Sequence, residues 1–418
     1  MTATAAHIDD LARFLTASPS SYHAAHEVAR RLEDAGFVRH HETQAWDPAH
    51  RRGFLLRDGA VIAWVRPDDA APTTPFRVLG AHTDSPGFKL KPHPTVTTHG
   101  WLQAGVEVYG GPLLNSWLDR ELELAGRLVA HDGTEHLVRT GPWLRIPQLA
   151  IHLDRSANES LALDRQRHTQ PVFGVGDHGD VVGHLAALAG LDRDDVAGYD
   201  VLTADAAAPA RFGLDGSLFA AGRMDDLVSV HAGLVALLEH PEPEGATTVL
   251  AAFDHEELGS ESRSGASGPL LTDVLSRLSA GTPEDLHRAL AASWCLSSDV
   301  GHAVHPNYPE RHDPANRPTA GGGPILKINA NQRYATDAHG AAVWARACRA
   351  AGVTSQDFVS NNSVPCGSTI GPLTATRSGV RTVDVGIALL SMHSAREMCH
   401  VDDPAALAAA VGAFFAGA

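Results

Sequence analysis

Five short clusters in this 418-residue chain place histidine or carboxylate side chains where an apolar run gives out or a helix begins. His82-Thr83-Asp84 closes the run 76–81, and Arg223-Met224-Asp225-Asp226 opens a helical pattern. Asp254-His255-Glu256-Glu257 follows the run 247–253, Ser298-Asp299 follows 294–297, and Met392-His393 follows 380–390. Any one cluster has an ordinary explanation. A lone histidine is more often a satisfied surface residue, Asp225 could cap its helix, and Glu256 and Glu257 could sit on a solvated loop. Five clusters at such positions are hard to attribute to chance, because open α/β sheets bind ligands just past the carboxyl ends of their strands. Two imidazoles and at least three carboxylates suit one or two zinc ions. Asp84, two residues beyond His82, is placed to hold the imidazole from behind. Glu256 and Glu257 project differently from a loop, so one can bind metal while the other holds a water.

These clusters need a scaffold, and the pattern around them describes one. Helical periodicity covers residues 8–15 and 22–35, with Ser20 or Ser21 as N-cap. A hairpin is expected at 53–65 around Asp58-Gly59, and a buried strand at 76–81. Beyond residue 219, helices at 226–239, 270–278, 336–351 and 404–415 alternate with strands at 247–253, 294–297, 325–328 and 380–390. That alternation predicts an α/β domain with a mostly parallel sheet flanked by helices. Between 92 and 219 the character changes to glycine-rich turns and short β patterns, such as 123–129 and 136–139, around a polar stretch at 156–170. The expected organisation is a discontinuous catalytic domain (1–91 and 220–418) with an inserted, mostly β domain (92–219).

The bulk composition narrows the function. Acidic residues number 49 against 33 basic, a formal charge of −16, which argues against nucleic acid or an anionic membrane as main partner. The four cysteines, Cys295, Cys348, Cys366 and Cys399, form no CxxC pair, so neither a zinc ribbon nor a disulfide framework is expected. The first twenty residues show no cationic start followed by an apolar core, and no stretch approaches a membrane span. A cytoplasmic protein is expected. Only Lys89, Lys91 and Lys327 are lysines; every other basic residue is arginine. A lysine inside the strand 325–328 therefore invites a specific role. A compact ammonium there could pair with a substrate carboxylate.

The clusters and their surroundings resemble the aspartyl aminopeptidases, dinuclear zinc exopeptidases. The matching strings are GAHTDSPGFKLKP (80–92), LAIHLDR (149–155), GRMDDL (222–227), FDHEELGSESRSGA (253–266), SSDVGHAVHPNY (297–308), LKINANQRYA (326–335), VPCGSTIGP (364–372) and MHSAREM (392–398). They run in order over nearly the whole chain. The resemblance implies that His82 and Asp299 hold one zinc, that Glu257 and His393 hold the other, and that Asp225 bridges them. Asp226 stands where relatives often have Asn, which leaves it as the alternative bridge. Glu256 matches the general base, and Asp84 would orient His82. Substrate contacts would fall to His152, Asp299, His302, Lys327 and Tyr334, with His152 reaching a neighbouring subunit's site. The implied fold is an α/β catalytic domain interrupted by a dimerisation domain, and the implied assembly is a homododecamer built from dimers. Two Zn²⁺ per subunit are implied, with Mn²⁺ or Co²⁺ as substitutes.

The expected activity is hydrolysis of the N-terminal residue of peptides with a free N-terminus, preferring Asp or Glu. A bound zinc pair activates water and polarises the peptide carbonyl, while Glu256 moves the proton to the departing amine. Two alternatives stand beside it. One keeps the mechanism but prefers neutral or hydrophobic N-termini. The other is a self-assembling scaffold or binding protein with minor catalysis.

Overall fold

The computed structural model describes residues 3–418, as two β systems with helices packed on the larger one. The larger sheet has nine strands. Its centre runs Ala60–Val65, Thr247–Phe253, Phe76–His82, Trp294–Ser298 and Arg381–Gly386, with Ile325–Ile328 and Gln356–Val359 beyond. Four central strands are mutually parallel: Thr247–Phe253, Phe76–His82, Trp294–Ser298 and Arg381–Gly386. Antiparallel partners lie on either side of them, at Ala60–Val65 and Ile325–Ile328. The fold is thus α/β with a mostly parallel, mixed sheet.

Alternation along each strand makes the two faces. Leu79, Ala81, Leu250, Ala252, Leu296, Val383 and Val385 point to one side, against Leu227, Val228, Trp344, Leu407 and Val411. These partners lie on the helices Met224–Glu239, Ala338–Ala351 and Asp402–Phe415. Val78, Val249, Ala251, Phe253 and Cys295 point to the other side, against Leu270, Val274, Leu275 and Ile370. Strands buried on both faces read as continuous apolar runs, which is why 247–253 and 76–81 are conspicuous in the sequence. The helix Ser21–Asp34 starts at Ser20, whose hydroxyl accepts from the His23 amide.

The second β system lies between Gly87 and Asp205. Its strands pair antiparallel throughout, and Val196–Asp205 pairs with both Gly87–Thr98 and Glu121–Ala130, which closes the sheet into a barrel. Phe88, Leu124, Leu128, Val201 and Leu185 fill it. Its first strand begins at Gly87 and runs through position 92, so the chain enters this unit without a break after the His82 loop. Leu218–Ala221 has already left it and pairs with Glu397–His400. The polar stretch 156–170 forms turns only.

One expected element is different. The run 380–390 is two strands, Arg381–Gly386 and Ala388–Leu389. The second leaves the large sheet to pair with Gly301–His302. The break falls at Gly386, where a Cβ would lie 1.8 Å from the Asp299 carbonyl oxygen. Asp299 itself donates its amide to the Val385 carbonyl at 3.1 Å. The missing side chain therefore lets the Asp299 turn seat against its neighbour strand. Gly386→Ala should cost about 1–3 kcal/mol of stability, as overpacking does. It should also displace the Asp299 turn. Urea unfolding of both proteins, together with their metal content, checks this; an unchanged midpoint would contradict it.

Candidate metal centre and substrate cleft

The five clusters converge at one place. Phe76–His82 delivers His82, and the parallel strand Thr247–Phe253 delivers residues 254–257 beside it. His255 takes a left-handed conformation (φ 64°), which turns the chain at the strand end into the short helix Glu256–Leu258. Arg223, also left-handed at φ 63°, turns the chain into the helix that carries Asp225.

Asp225 sits between the two imidazoles. Its Oδ1 lies 3.2 Å from His82 Nε2 and its Oδ2 lies 3.3 Å from His393 Nε2. His393 Nε2 is also 3.4 Å from Glu257 Oε1, and His82 Nε2 is 3.9 Å from Asp299 Oδ1. Three sets bring their ligand atoms within 4.8 Å of one another: His82, Asp226 and Asp299; His82, Glu256 and Glu257; Asp225, Glu257 and His393. Each imidazole is aimed by its other nitrogen. His82 Nδ1–H donates to the Asp84 carbonyl at 3.0 Å, and His393 Nδ1–H to the Gly111 carbonyl at 3.0 Å. A carbonyl can only accept, so both neutral rings keep a lone pair at Nε2, facing the cluster.

The residues fit a cation. Asp225 Oδ1, Asp226 Oδ1 and Glu257 Oε1 are buried without a hydrogen-bond partner. Buried polar atoms rarely stay orphaned unless an ion or water takes them up. Mixed imidazole and carboxylate donors are ordinary zinc ligands. The electrostatics agree. Burial, opposed by His82 but reinforced by Asp299, Asp225 and Asp84, pushes the Glu256 carboxyl up to about 7. Burial and Asp225 push Glu257 well above its usual range. Asp299 is raised by burial, although Lys327 opposes the shift. Burial disfavours charge on His393 too, but Asp225 and Glu257 outweigh it and lift the ring to about 10. So many acids buried together favour either protons or a multivalent cation.

Asp84 meets the His82 ring, as expected, and has a second task. It holds His82 by its backbone carbonyl, and its carboxylate Oδ1 stays 3.5 Å from the ring. The carboxylate also accepts from the Glu256 amide at 3.0 Å, the Glu257 amide at 3.2 Å and the Tyr109 hydroxyl at 2.9 Å. It thus fixes the turn that presents both glutamates.

Next to the cluster opens a cleft of about 440 Å³, lined by His82, Asp225, Glu256, Glu257, Asp299 and His393 together with His302, Lys327, Tyr334 and Thr369. Gly111, Pro112 and Leu113 of the barrel unit form another wall. Lys327 is 1% exposed; its ammonium donates to the Val300 carbonyl at 2.8 Å and lies 3.5 Å from Asp299 Oδ2. It also sits 5.4 Å from the centre of the Tyr334 ring. Desolvation by the packed cleft wall, aided by the Lys327 charge, lowers His302 to about 4 although the residue keeps an exposed face. Of the expected substrate contacts, only His152 is absent from this cleft. It stands on an exposed turn of the barrel unit.

Several residues escaped sequence reasoning. Tyr109 and Gly111 come from the barrel unit and have no local motif beyond a Gly-Gly pair. Asp384, fully buried, accepts from Ser297 and Thr369 hydroxyls and from the Ala335 amide, tying the Tyr334 loop to the sheet. The glycine-rich loop before Lys327 is held by Asp403, which accepts from the Gly321 and Gly323 amides at 2.9 and 3.0 Å. Lys89 serves the barrel, bonding Asp200 at 2.8 Å.

Asp225 and Asp226 separate on charge. Asp226 Oδ2 accepts from the His82 amide at 3.2 Å. Burial, with Asp299 and Asp225 nearby, raises its carboxyl well above the usual range. An Asn side chain keeps an acceptor oxygen for the same His82 amide. Asp226→Asn should therefore retain metal content and most activity, whereas Asp225→Asn should lose metal and activity together. Elemental analysis and peptidase assays of both variants check this; equal losses would contradict the assignment.

The model of the family "Aminopeptidase I zinc metalloprotease (M18)" matches residues 14–415. A probable M18 family aminopeptidase 2 of Streptomyces avermitilis is 56% identical over 422 residues, spanning 98% of each chain. A chain in the cryo-EM structure of the Ape4 and Nbr1 complex superposes with TM-score 0.95 at 34% identity, covering 99% of this chain and 86% of that one. The S. cerevisiae mApe1 dodecamer superposes with TM-score 0.86 at 28% identity, covering 98% and 96%.

Proposed function

The chain belongs to the M18 zinc aminopeptidases, and from that premise we propose that it removes acidic residues from peptide N-termini, using two zinc ions per subunit. The metalloaminopeptidase class follows from the family. The preference for Asp or Glu rests on one observation: the Lys327 ammonium, buried at the cleft wall, has one strong acceptor in Val300 and a longer contact to Asp299. An ammonium carries three donors, so capacity remains for a substrate carboxylate. Neutral His302 and the Tyr334 ring border the same space and can hydrogen-bond or pack against the substrate side chain.

His82, Asp225, Glu257, Asp299 and His393 would hold the metals, with Asp225 as the shared ligand. Bound zinc supplies Lewis acidity, lowering the pKa of water and polarising the scissile carbonyl. Glu256 stands free of the direct contacts that engage Glu257 and lines the cleft, where its carboxylate can take and return a proton. It takes the proton from the attacking water and delivers it to the departing amine. The Asp84 carboxylate keeps the Glu256 amide, and hence the turn, in place while this happens. Residues 111–113 bound the cleft beside the cluster. His152 would serve the cleft of a second copy, and self-association like that of the mApe1 dodecamer would make that contact.

Chelation should abolish peptidase activity, and zinc should restore it. Glu256→Gln should keep its metal and lose about 10²–10⁴-fold in turnover, the usual worth of a positioned base. Near-normal turnover would remove Glu256 from that role. Lys327→Ala should lower the kcat/KM ratio for Asp over Leu peptides by about 10–100-fold, in keeping with a charge-assisted hydrogen bond of about 1.5–3 kcal/mol. Full discrimination in this variant, or a wild-type preference for Leu, would favour a neutral-residue aminopeptidase of the same mechanism.

A further inference from the structure

Glu397 is buried at 2% exposure, and neither the zinc set nor the cleft wall includes it. Its carboxylate faces two chain segments, one beside it in sequence at His393 and one far from it at Asp225. Oε2 accepts from the Asp225 amide at 3.0 Å, and Oε1 accepts from the His393 amide at 3.1 Å. Each oxygen thus holds the backbone of one proposed ligand, and these are the shared carboxylate and the imidazole 3.3 Å from it.

The surroundings make this arrangement specific. Glu397 opens the strand Glu397–His400, which pairs antiparallel with Leu218–Ala221, and Ala221 lies opposite Glu397. That partner strand runs directly into Gly222, Arg223 and Asp225. Four residues before Glu397, His393 adopts a left-handed conformation with φ 63°. A non-glycine residue in that region needs outside support. The Glu397 carboxylate supplies it by capturing the His393 amide, while Gly111 captures the ring from the other side. The Arg223 guanidinium donates to the Ser18 and Leu15 carbonyls. A fold that needed only a strand start here would not bury an acid at it.

We propose that Glu397 is a positioning residue of the metal centre: its two carboxylate oxygens fix the backbones of Asp225 and His393, and so set the spacing between the shared carboxylate and the second imidazole. This rests on the reading of Asp225 and His393 as metal ligands. Only a carboxylate has two equivalent acceptor oxygens, so the amide of glutamine cannot reproduce the pair. One of its ends becomes an NH₂ facing an N–H, and one of the two grips is lost. The effect should appear at the metal and in turnover, with little change in substrate affinity, because Glu397 does not reach the cleft.

The test compares wild type, Glu397→Gln, Glu397→Asp and His393→Ala. Zinc dissociation constants come from competition with a chelating dye, and the visible absorption spectra of the cobalt-loaded proteins report ligand geometry. Glu397→Gln should weaken binding of one of two zinc ions by about 10–100-fold, the usual cost of losing a group that orients a ligand. Its cobalt spectrum should change, and kcat should fall with KM nearly constant. Thermal melting of the metal-free proteins separates folding from positioning. Should Glu397→Gln melt far below wild type, the shorter Glu397→Asp, which keeps both acceptors, decides: recovery of the cobalt spectrum supports the proposal, and no recovery overturns it. An unchanged zinc affinity and cobalt spectrum in a folded Glu397→Gln protein would overturn it too. If His393→Ala bound zinc as wild type does, the ligand reading itself would fall. A fall in His393→Ala without one in Glu397→Gln would reject only the role of Glu397.

Discussion

The constraint from which the rest follows is a buried carboxylate shared between two imidazoles. Asp225 is 3% exposed and lies 3.2 and 3.3 Å from the ring nitrogens of His82 and His393. Around it stand its neighbour Asp226, Glu256 and Glu257 from one strand end, and Asp299 from another. Burying one unpaired charge costs several kcal/mol, so this many acids persist together only where protons or cations neutralise them. The mixed sheet is what makes the gathering possible. Parallel neighbours end on the same side, so Phe76–His82, Thr247–Phe253 and Trp294–Ser298 all discharge their loops onto one edge. A purely antiparallel sheet would have sent alternate loops to opposite edges.

The barrel unit belongs to this constraint. Tyr109 donates to Asp84, Gly111 accepts from the His393 ring, and the Leu113 amide donates to the His393 carbonyl at 2.8 Å. At Gly110 a Cβ would lie 3.1 Å from Glu257 Cβ, so the small residue lets the segment approach the glutamate turn closely. The two units are clamped further out by Arg127, which pairs with Asp58 at 3.0 Å and stacks over the Tyr22 ring. Arg139 adds a bridge to the Thr16 carbonyl. Displacement of the barrel would therefore release the tautomer of one histidine and loosen the turn that carries Glu256.

How much of this is legible in sequence depends on how local the cause is. Strands buried on both faces announce themselves by apolar runs, and 247–253 matches its observed bounds; 325–328 does too, although Lys327 interrupts it. The helix Ser21–Asp34 shows its N-cap in the serine pair before it. The helix Pro283–Ala291 went unread although Thr282 and Asp285 form a capping box with Pro283 at the first position; its weakly apolar face hides it. The break at Gly386 is invisible because its cause, the Asp299 carbonyl, lies 87 positions away in the chain but within 1.8 Å of a would-be Cβ. The site divides in the same way. Ligand types are visible as clustered His, Asp and Glu at strand ends. Their supports are not, because Tyr109, Gly111, Asp384 and Glu397 act through backbone amides, carbonyls and hydroxyls that no spacing reveals. Asp84 shows the mixture: its nearness to His82 is local, but the amides its carboxylate accepts from lie beyond residue 255.

The choice of lysine at position 327, in a chain that otherwise uses arginine almost everywhere, has a physical reason in this pocket. The head group is nearly fully buried and meets one carbonyl at 2.8 Å and one carboxylate at 3.5 Å. A guanidinium carries five N–H donors in a rigid plane, and most of them would find no acceptor here. An ammonium has three donors on a tetrahedral point, so Val300 and Asp299 can take two and leave one toward the cleft. The strand that carries it is fixed at both ends. Asp403 holds the glycine loop before it, and Asp384 holds the Ala335 amide after it. Asp299 faces both ways, with Oδ1 toward His82 and Oδ2 toward Lys327. Asp299 thus touches both the carboxylate–imidazole cluster and the buried ammonium of the cleft wall, which is the physical sense in which the two form one site.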